Sequence, residues 1–202
     1  MPLRGLKAYF IIGALAALAQ TAFLYAFAAP LAEHLHVKLA VEEAEEEYAD
    51  WAIPLVAVFY GGMLGVVYHF FSRGQEPAEA AAVMFFAMSL LPGLKWLPTP
   101  HGVSYVEPVE WREAVHGLYV AYNVLSAAAV AGLVKRPYAR AALLALAWLV
   151  GFYVAPPFTL PEKYAAALPD LRALQGLSLA SWGLFWLILG AGGRVLAPIR
   201  RC

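Results

Sequence analysis

The residues best suited to chemistry begin with Glu33-His34-Leu35-His36, followed by Glu42, Glu43, Glu45, Glu46, Glu47 and Asp50. Imidazole suits divalent cobalt, nickel, copper and zinc, whereas carboxylates suit harder ions. On a helix, positions two apart diverge by about 200°. His34 and His36 would therefore share an ion only from an extended backbone, where alternate side chains fall on one face. The acidic run has little apolar content and reads as a solvated surface that concentrates cations. His101, in Pro98-Thr99-Pro100-His101-Gly102, and His116 complete a set of four candidate metal ligands. The fifth histidine, His69, reads as a hydrogen-bonded structural group.

A second group consists of polar residues set in apolar surroundings. His116, Tyr119, Asn123 and Ser126 follow spacings of three and four, which places them on one helical face. Gln175, Ser178 and Trp182 do the same, and Gln20 stands in the middle of another apolar run. Polar side chains inside a bilayer tend to face a bundle interior or a watery path. Gln20, Tyr119, Asn123 and Gln175, with His116, are thus the expected transport path. The plainer alternative is interhelical hydrogen bonding, worth about 0.6 kcal/mol per contact, and it is the preferred reading for Ser126 and Ser178.

These residues need a scaffold, and the composition says which kind. Of 202 residues, 62% are hydrophobic and 14% charged, against roughly 45–50% and 25% for soluble domains. A cytosolic globular enzyme is excluded. The formal net charge of zero gives no basic field for nucleic acid. One cysteine, Cys202, excludes an internal disulfide. A membrane crossing takes about 20 mostly apolar residues, and six stretches qualify: Ala8 to Ala32, Ala52 to Phe71, Ala78 to Leu97, Ala114 to Val134, Ala139 to Ala155 and Ala173 to Gly193. Each must be helical, because lipid offers no partner to an open backbone group. The expectation is an all-α, polytopic membrane protein with six transmembrane helices in a single integral membrane domain, residues 1–202. The first stretch resembles a signal peptide in Arg4, Lys7 and Ala26-Phe27-Ala28, but its apolar run is too long, so it is expected to stay as a span. The third carries a Pro92-Gly93 break near its end, and Gly61-x-x-x-Gly65 in the second permits close backbone approach to another helix.

Charge sets the orientation. With the N-terminus inside, the inner segments hold Arg4, Lys7, Arg73, Lys135, Arg136, Arg140, Arg194, Arg200 and Arg201 against only Glu76 and Glu79. Lys38, Lys95, Arg112, Lys163 and Arg172 face the other twelve acids outside. Basic residues favour the cytoplasmic side, so both termini are expected in the cytoplasm, in a multi-pass protein of the cell inner membrane. Inner links are short and outer ones long, so recognition is expected from outside. No G-x-x-x-x-G-K-[ST], H-E-x-x-H or G-x-S-x-G motif occurs. No enzyme is expected; a membrane enzyme using His101 or His116 with Glu107, Glu110 or Glu113 has no recognisable constellation.

Leu94-Lys95-Trp96-Leu97-Pro98-Thr99-Pro100, followed by Arg112, Tyr119 and Ser126, resembles the CbtA family of cobalt transporter subunits. A later block carries more of the likeness: Ala155-Pro156, Leu160-Pro161-Glu162, Leu168-Pro169, Leu171-Arg172, Ser178, Trp186 and Gly190. Gln20, Pro30-Leu31 and Ala44-Glu45 extend it toward the N-terminus. The chain departs from the family pattern in an extra Leu97 and in Thr99 and His101; His34 and His36 fall outside the pattern. The resemblance implies a multi-span subunit that moves Co²⁺ as substrate, with no permanently bound cofactor and a small CbtB-type membrane partner, in the service of cobalamin synthesis. It also gives a reading to the outer loops, in which prolines stiffen two lids and Arg112, Glu162, Asp170 and Arg172 form ion pairs or a gate. Arg172 could clamp Glu162, Asp170 or Glu113. The competing expectation is a non-transporting scaffold or accessory subunit, packed with partner helices or with further copies of itself.

Overall fold

The computed structural model describes residues 3–38, 52–98 and 109–196. The described chain is almost wholly helical, without strands, and six of its helices are long and apolar enough to cross a membrane. It is an all-α polytopic membrane protein. Six crossings put the first and last described residues at one rim, called here the terminal rim; the opposite one is the loop rim.

The first span is longer than hydropathy alone suggests. It runs Leu3–Phe23, widens through one π turn at Leu24–Ala28, and continues as Ala29–Lys38. The second is Ala52–Phe71. The third begins at Pro77–Phe85, widens at Phe86–Leu90 and ends at Leu91–Lys95, so the expected break at Pro92-Gly93 is a widened helix and not an interruption. The fourth is Val109–Leu133 and the fifth Pro137–Val154. A short 3₁₀ turn, Glu162–Ala167, leads into the sixth, Leu168–Leu196.

Both π turns have one cause. Each ends two residues before a proline, Pro30 or Pro92. A proline inside a helix lacks the N–H and drives its ring into the carbonyl four residues back. Those carbonyls belong to Ala26 and Met88, inside the widened turns, and the extra residue there relieves the collision.

The spans do not pack evenly. The first lies against the second and the sixth, the third against the sixth, and the fourth and fifth form a hairpin on the third. Backbone contact sets the first pair: a Cβ on Gly13 would fall 2.1 Å from the Gly61 carbonyl oxygen, and one on Gly65 would fall 2.1 Å from the Tyr9 oxygen. The Gly61-x-x-x-Gly65 spacing thus meets a matching small residue on the first span. The main core lies toward the terminal rim and contains Tyr9, Ala16, Tyr68, Met84, Phe185, Trp186 and Leu189. A second cluster at the loop rim joins Ala28 and Leu35 to Ala167, Leu171 and Leu174. Between the second and third spans the chain turns at Gly74, whose φ of 75° suits glycine.

Candidate functional site

The loop-rim half of the bundle contains a cavity of about 420 Å³ between the second, third, fourth and sixth spans. Tyr60, Ser89, Trp96, Arg112, His116 and Gln175 give it its polar character, and Met88, Leu179 and Trp182 its apolar walls. Gly117, with open space where a Cβ would stand, and the widened third span leave room in this half, while the sixth span brings Gln175, Ser178 and Trp182 to the wall on one face and packs Leu179 closely on Gly93.

Trp96 organises the mouth. Its indole N–H donates to the Pro156 carbonyl at 3.1 Å, and its ring stacks on Phe158 with centroids 5.4 Å apart. On its other sides it meets Tyr119 edge-on at 5.2 Å and His116 at 5.5 Å. Lys95 donates to the Phe152 carbonyl, and Arg112 donates to the Leu97 carbonyl at 3.1 Å. The end of the third span is therefore pinned by both neighbouring helices, and His116 is presented to the cavity beside a guanidinium. Among the described residues, no carboxylate lines the wall.

The expected path residues divide here. His116 and Gln175 reach the cavity; Gln20, Tyr119 and Asn123 do not line it. The three amides serve as fasteners between helices. Gln175 donates to the Gly93 carbonyl and, at 3.4 Å, to that of Trp96, which satisfies acceptors left open where the third span ends. Asn123 is fully buried and donates at 3.3 Å to Ala87, a carbonyl of the third span's π turn. Gln20 reaches Ser181 on the sixth span at 3.5 Å. The buried Tyr119 hydroxyl and the Asn123 Oδ1 close no hydrogen bond by geometry, although Asn123 is the polar neighbour of that hydroxyl. Ser126 and Ser181 bond back to their own helices, to the carbonyls of Asn123 and Ser178.

The candidate metal ligands do not converge among the described residues, which hold no group of three or more His, Cys, Asp or Glu fit to bind an ion. His34 and His36 lie on the helical extension of the first span, not on an extended strand. His34 is exposed and near enough to Asp170 to act on its charge. His101, Glu107 and the acids of 42–50 fall outside the described residues. His69 is structural, as expected: it meets the Tyr9 ring at 4.7 Å and Arg73 at 3.3 Å.

The expected gate is rearranged as well. Asp170 pairs with Lys38 at 2.6 Å, because the first span continues far enough to carry that lysine to the sixth. Among the described residues, Arg172 is exposed and closes no ion pair with Glu162, Asp170 or Glu113. Arg112 holds the third span's end and lines the cavity. Ser89 and Tyr60 were not singled out by sequence. Ser89 accepts from the Trp186 indole at 3.1 Å inside the π turn, and the one signal for it was its position three residues before Pro92. No family model matches the chain, and no curated protein or solved structure matches it.

Proposed function

We propose that this chain is a transport subunit of the inner membrane that admits a divalent transition metal ion, cobalt by the resemblance stated above, through the loop-rim cavity. Both termini face the cytoplasm in this reading, so the cavity opens to the outside. The observation that carries it is the cavity itself, with His116 on its wall and Gln175 and Ser178 beside it. Twelve acids on the loop-rim segments would gather cations there, and a neutral imidazole is a ligand suited to the later first-row metals. A single imidazole binds weakly, which suits an ion that must also leave. The chain has no phosphate-binding loop, so the driving force is a partner, a gradient or the membrane potential. At 100 mV the potential concentrates a divalent ion roughly a thousandfold. A small CbtB-type subunit is the proposed partner, and no enzymatic step or resident cofactor is part of the reading.

One observation favours a second reading, that of a scaffold. Gln20, Asn123 and Gln175 direct their amide donors to neighbouring helices, as a packing role requires. Metal titration and proteoliposome uptake separate the two. Saturable Co²⁺ binding with uptake, both lost in His116→Ala while the protein stays folded, supports transport. A folded protein that neither binds nor passes Co²⁺ is a scaffold.

A further inference from the structure

We propose that the groove between the third and fifth spans holds an acyl chain of an anionic phospholipid, with its phosphate on the basic turn at the terminal rim. These two helices are tied at both ends and stand apart between. At the loop rim, Lys95 reaches the Phe152 carbonyl and lies 4.7 Å from the centre of its ring. Near the terminal rim the tie is Arg140 to Glu79 at 3.7 Å. The space between is a groove of about 470 Å³, lined by Ala82, Val83, Phe86, Ala145, Trp148 and Leu149 among others. Midway along it, Phe86 of the third span and Trp148 of the fifth lie parallel within 6°, their centroids 6.2 Å apart.

Length and chemistry fit one lipid tail. Ala141 and Phe152 both line the groove, and the rise between them is about 16 Å. A single extended tail entering from the terminal rim would follow it to a little past the midplane of a hydrocarbon core about 30 Å thick. Charge selects the headgroup. At the groove's terminal end Arg140 pairs with Glu79, a wall residue, and Lys135 and Arg136 stand at the start of the same helix, one turn before the wall residue Ala141, for a local balance of two positive charges. Lys135 and Arg136 are exposed, while the Arg140 guanidinium is held in place by the Val134 carbonyl at 3.1 and 3.2 Å. A partner helix of apolar sequence would make no use of these cations, and a zwitterionic lipid offsets its phosphate with a cation of its own and carries no net charge for them to attract. An anionic phosphate would, since each basic residue at a membrane surface strengthens binding about fivefold.

Native mass spectrometry of the full chain, titrated with phosphatidylglycerol and with phosphatidylcholine, tests the assignment. The expected result is one tightly held phosphatidylglycerol. Lys135→Ala with Arg136→Ala should weaken it about thirtyfold and leave phosphatidylcholine binding unchanged. Ala145→Trp, an exposed position on the groove wall, should remove both lipids from a protein that remains folded. Equal affinity for the two lipids overturns the proposal, as does a phosphatidylglycerol preference that survives the double substitution. A dimer that Ala145→Trp converts to a monomer would assign the groove to a second copy instead. None of these readouts passes through the metal, so they stand apart from the transport reading.

Discussion

The two halves of this bundle use the same kinds of helix for opposite ends. Toward the terminal rim, glycines bring backbones into contact and Tyr9, Tyr68, Phe185 and Trp186 fill the interior with tilted or edge-on rings, centroids 5.2–6.5 Å apart. Toward the loop rim the helices part around a polar cavity, and its mouth is pinned by carbonyls of 97, 152 and 156. The boundary between the halves is the π turn of the third span. There Asn123 from the fourth helix and Trp186 from the sixth each meet a polar atom of the widened segment. Where a membrane helix is widened it exposes backbone acceptors, and neighbouring side chains must supply the donors that lipid cannot. The transition from packed to open therefore sits on hydrogen bonds, and Asn123 belongs to that transition more than to any path through it.

The contrast can be broken most forcefully in the packed half. Gly65→Val should push a methyl-bearing carbon into the Tyr9 carbonyl, costing about 3 kcal/mol and lowering the thermal unfolding temperature in detergent. A smaller loss is expected at the boundary. Asn123→Leu leaves the Ala87 carbonyl without its donor and should cost about 1–2 kcal/mol, seen as faster amide exchange through Phe86–Leu90. Within the cavity the stability effect should nearly vanish. His116→Ala is expected to shift stability by less than about 0.5 kcal/mol, yet to lower Co²⁺ affinity about tenfold or more by calorimetry if the transport reading holds. The smallest effect belongs to the surface. Hydrogen bonding to Arg194 at 2.7 Å holds the exposed Glu76 carboxyl below its ordinary value, with the Glu79 N–H adding to the shift. A lowered carboxyl stabilises the fold above the unfolded range and ceases to do so as pH falls through the folded value. Wild type should thus lose slightly more stability than Glu76→Gln on acidification below the ordinary carboxylate range, in parallel thermal melts.

The six crossings were legible because the energetic demand of lipid is uniform: about 20 apolar residues per span. The same rule explains two of the misses. Hydropathy reads the thickness of the hydrocarbon and not the length of the helix: a first span reaching beyond the bilayer is legible in its long apolar run, but not its end at Lys38, nor the Lys38–Asp170 pair that stands where the Arg172 clamp was expected. Gln175, Ser178 and Trp182 share the cavity wall as their helical spacing predicts, whereas of His116, Tyr119, Asn123 and Ser126 only His116 lines it. Gln20, Tyr119 and Asn123 stand off that wall, and Gln20 and Asn123 make the interhelical hydrogen bonds that were the plainer alternative. An amide inside a bilayer answers to the nearest orphan carbonyl, and the orphan at Ala87 arises from a widened turn that spacing alone does not disclose. Proline placement was the available clue, read instead as a break.

The paired prolines have a consequence for how each long helix keeps its bearings. In the first span the buried positions Gln20 and Ala28 are eight residues apart, whereas Ala28 and Leu35 are seven. A regular helix drifts in angle as it lengthens, and the widened turn resets that drift like the slipped tooth of a gear. The lower stretch can therefore address Gly61 and Ser181 while the upper one addresses Leu171, each with its own angular origin. Substitutions that rotate one stretch need not be matched by changes in the other.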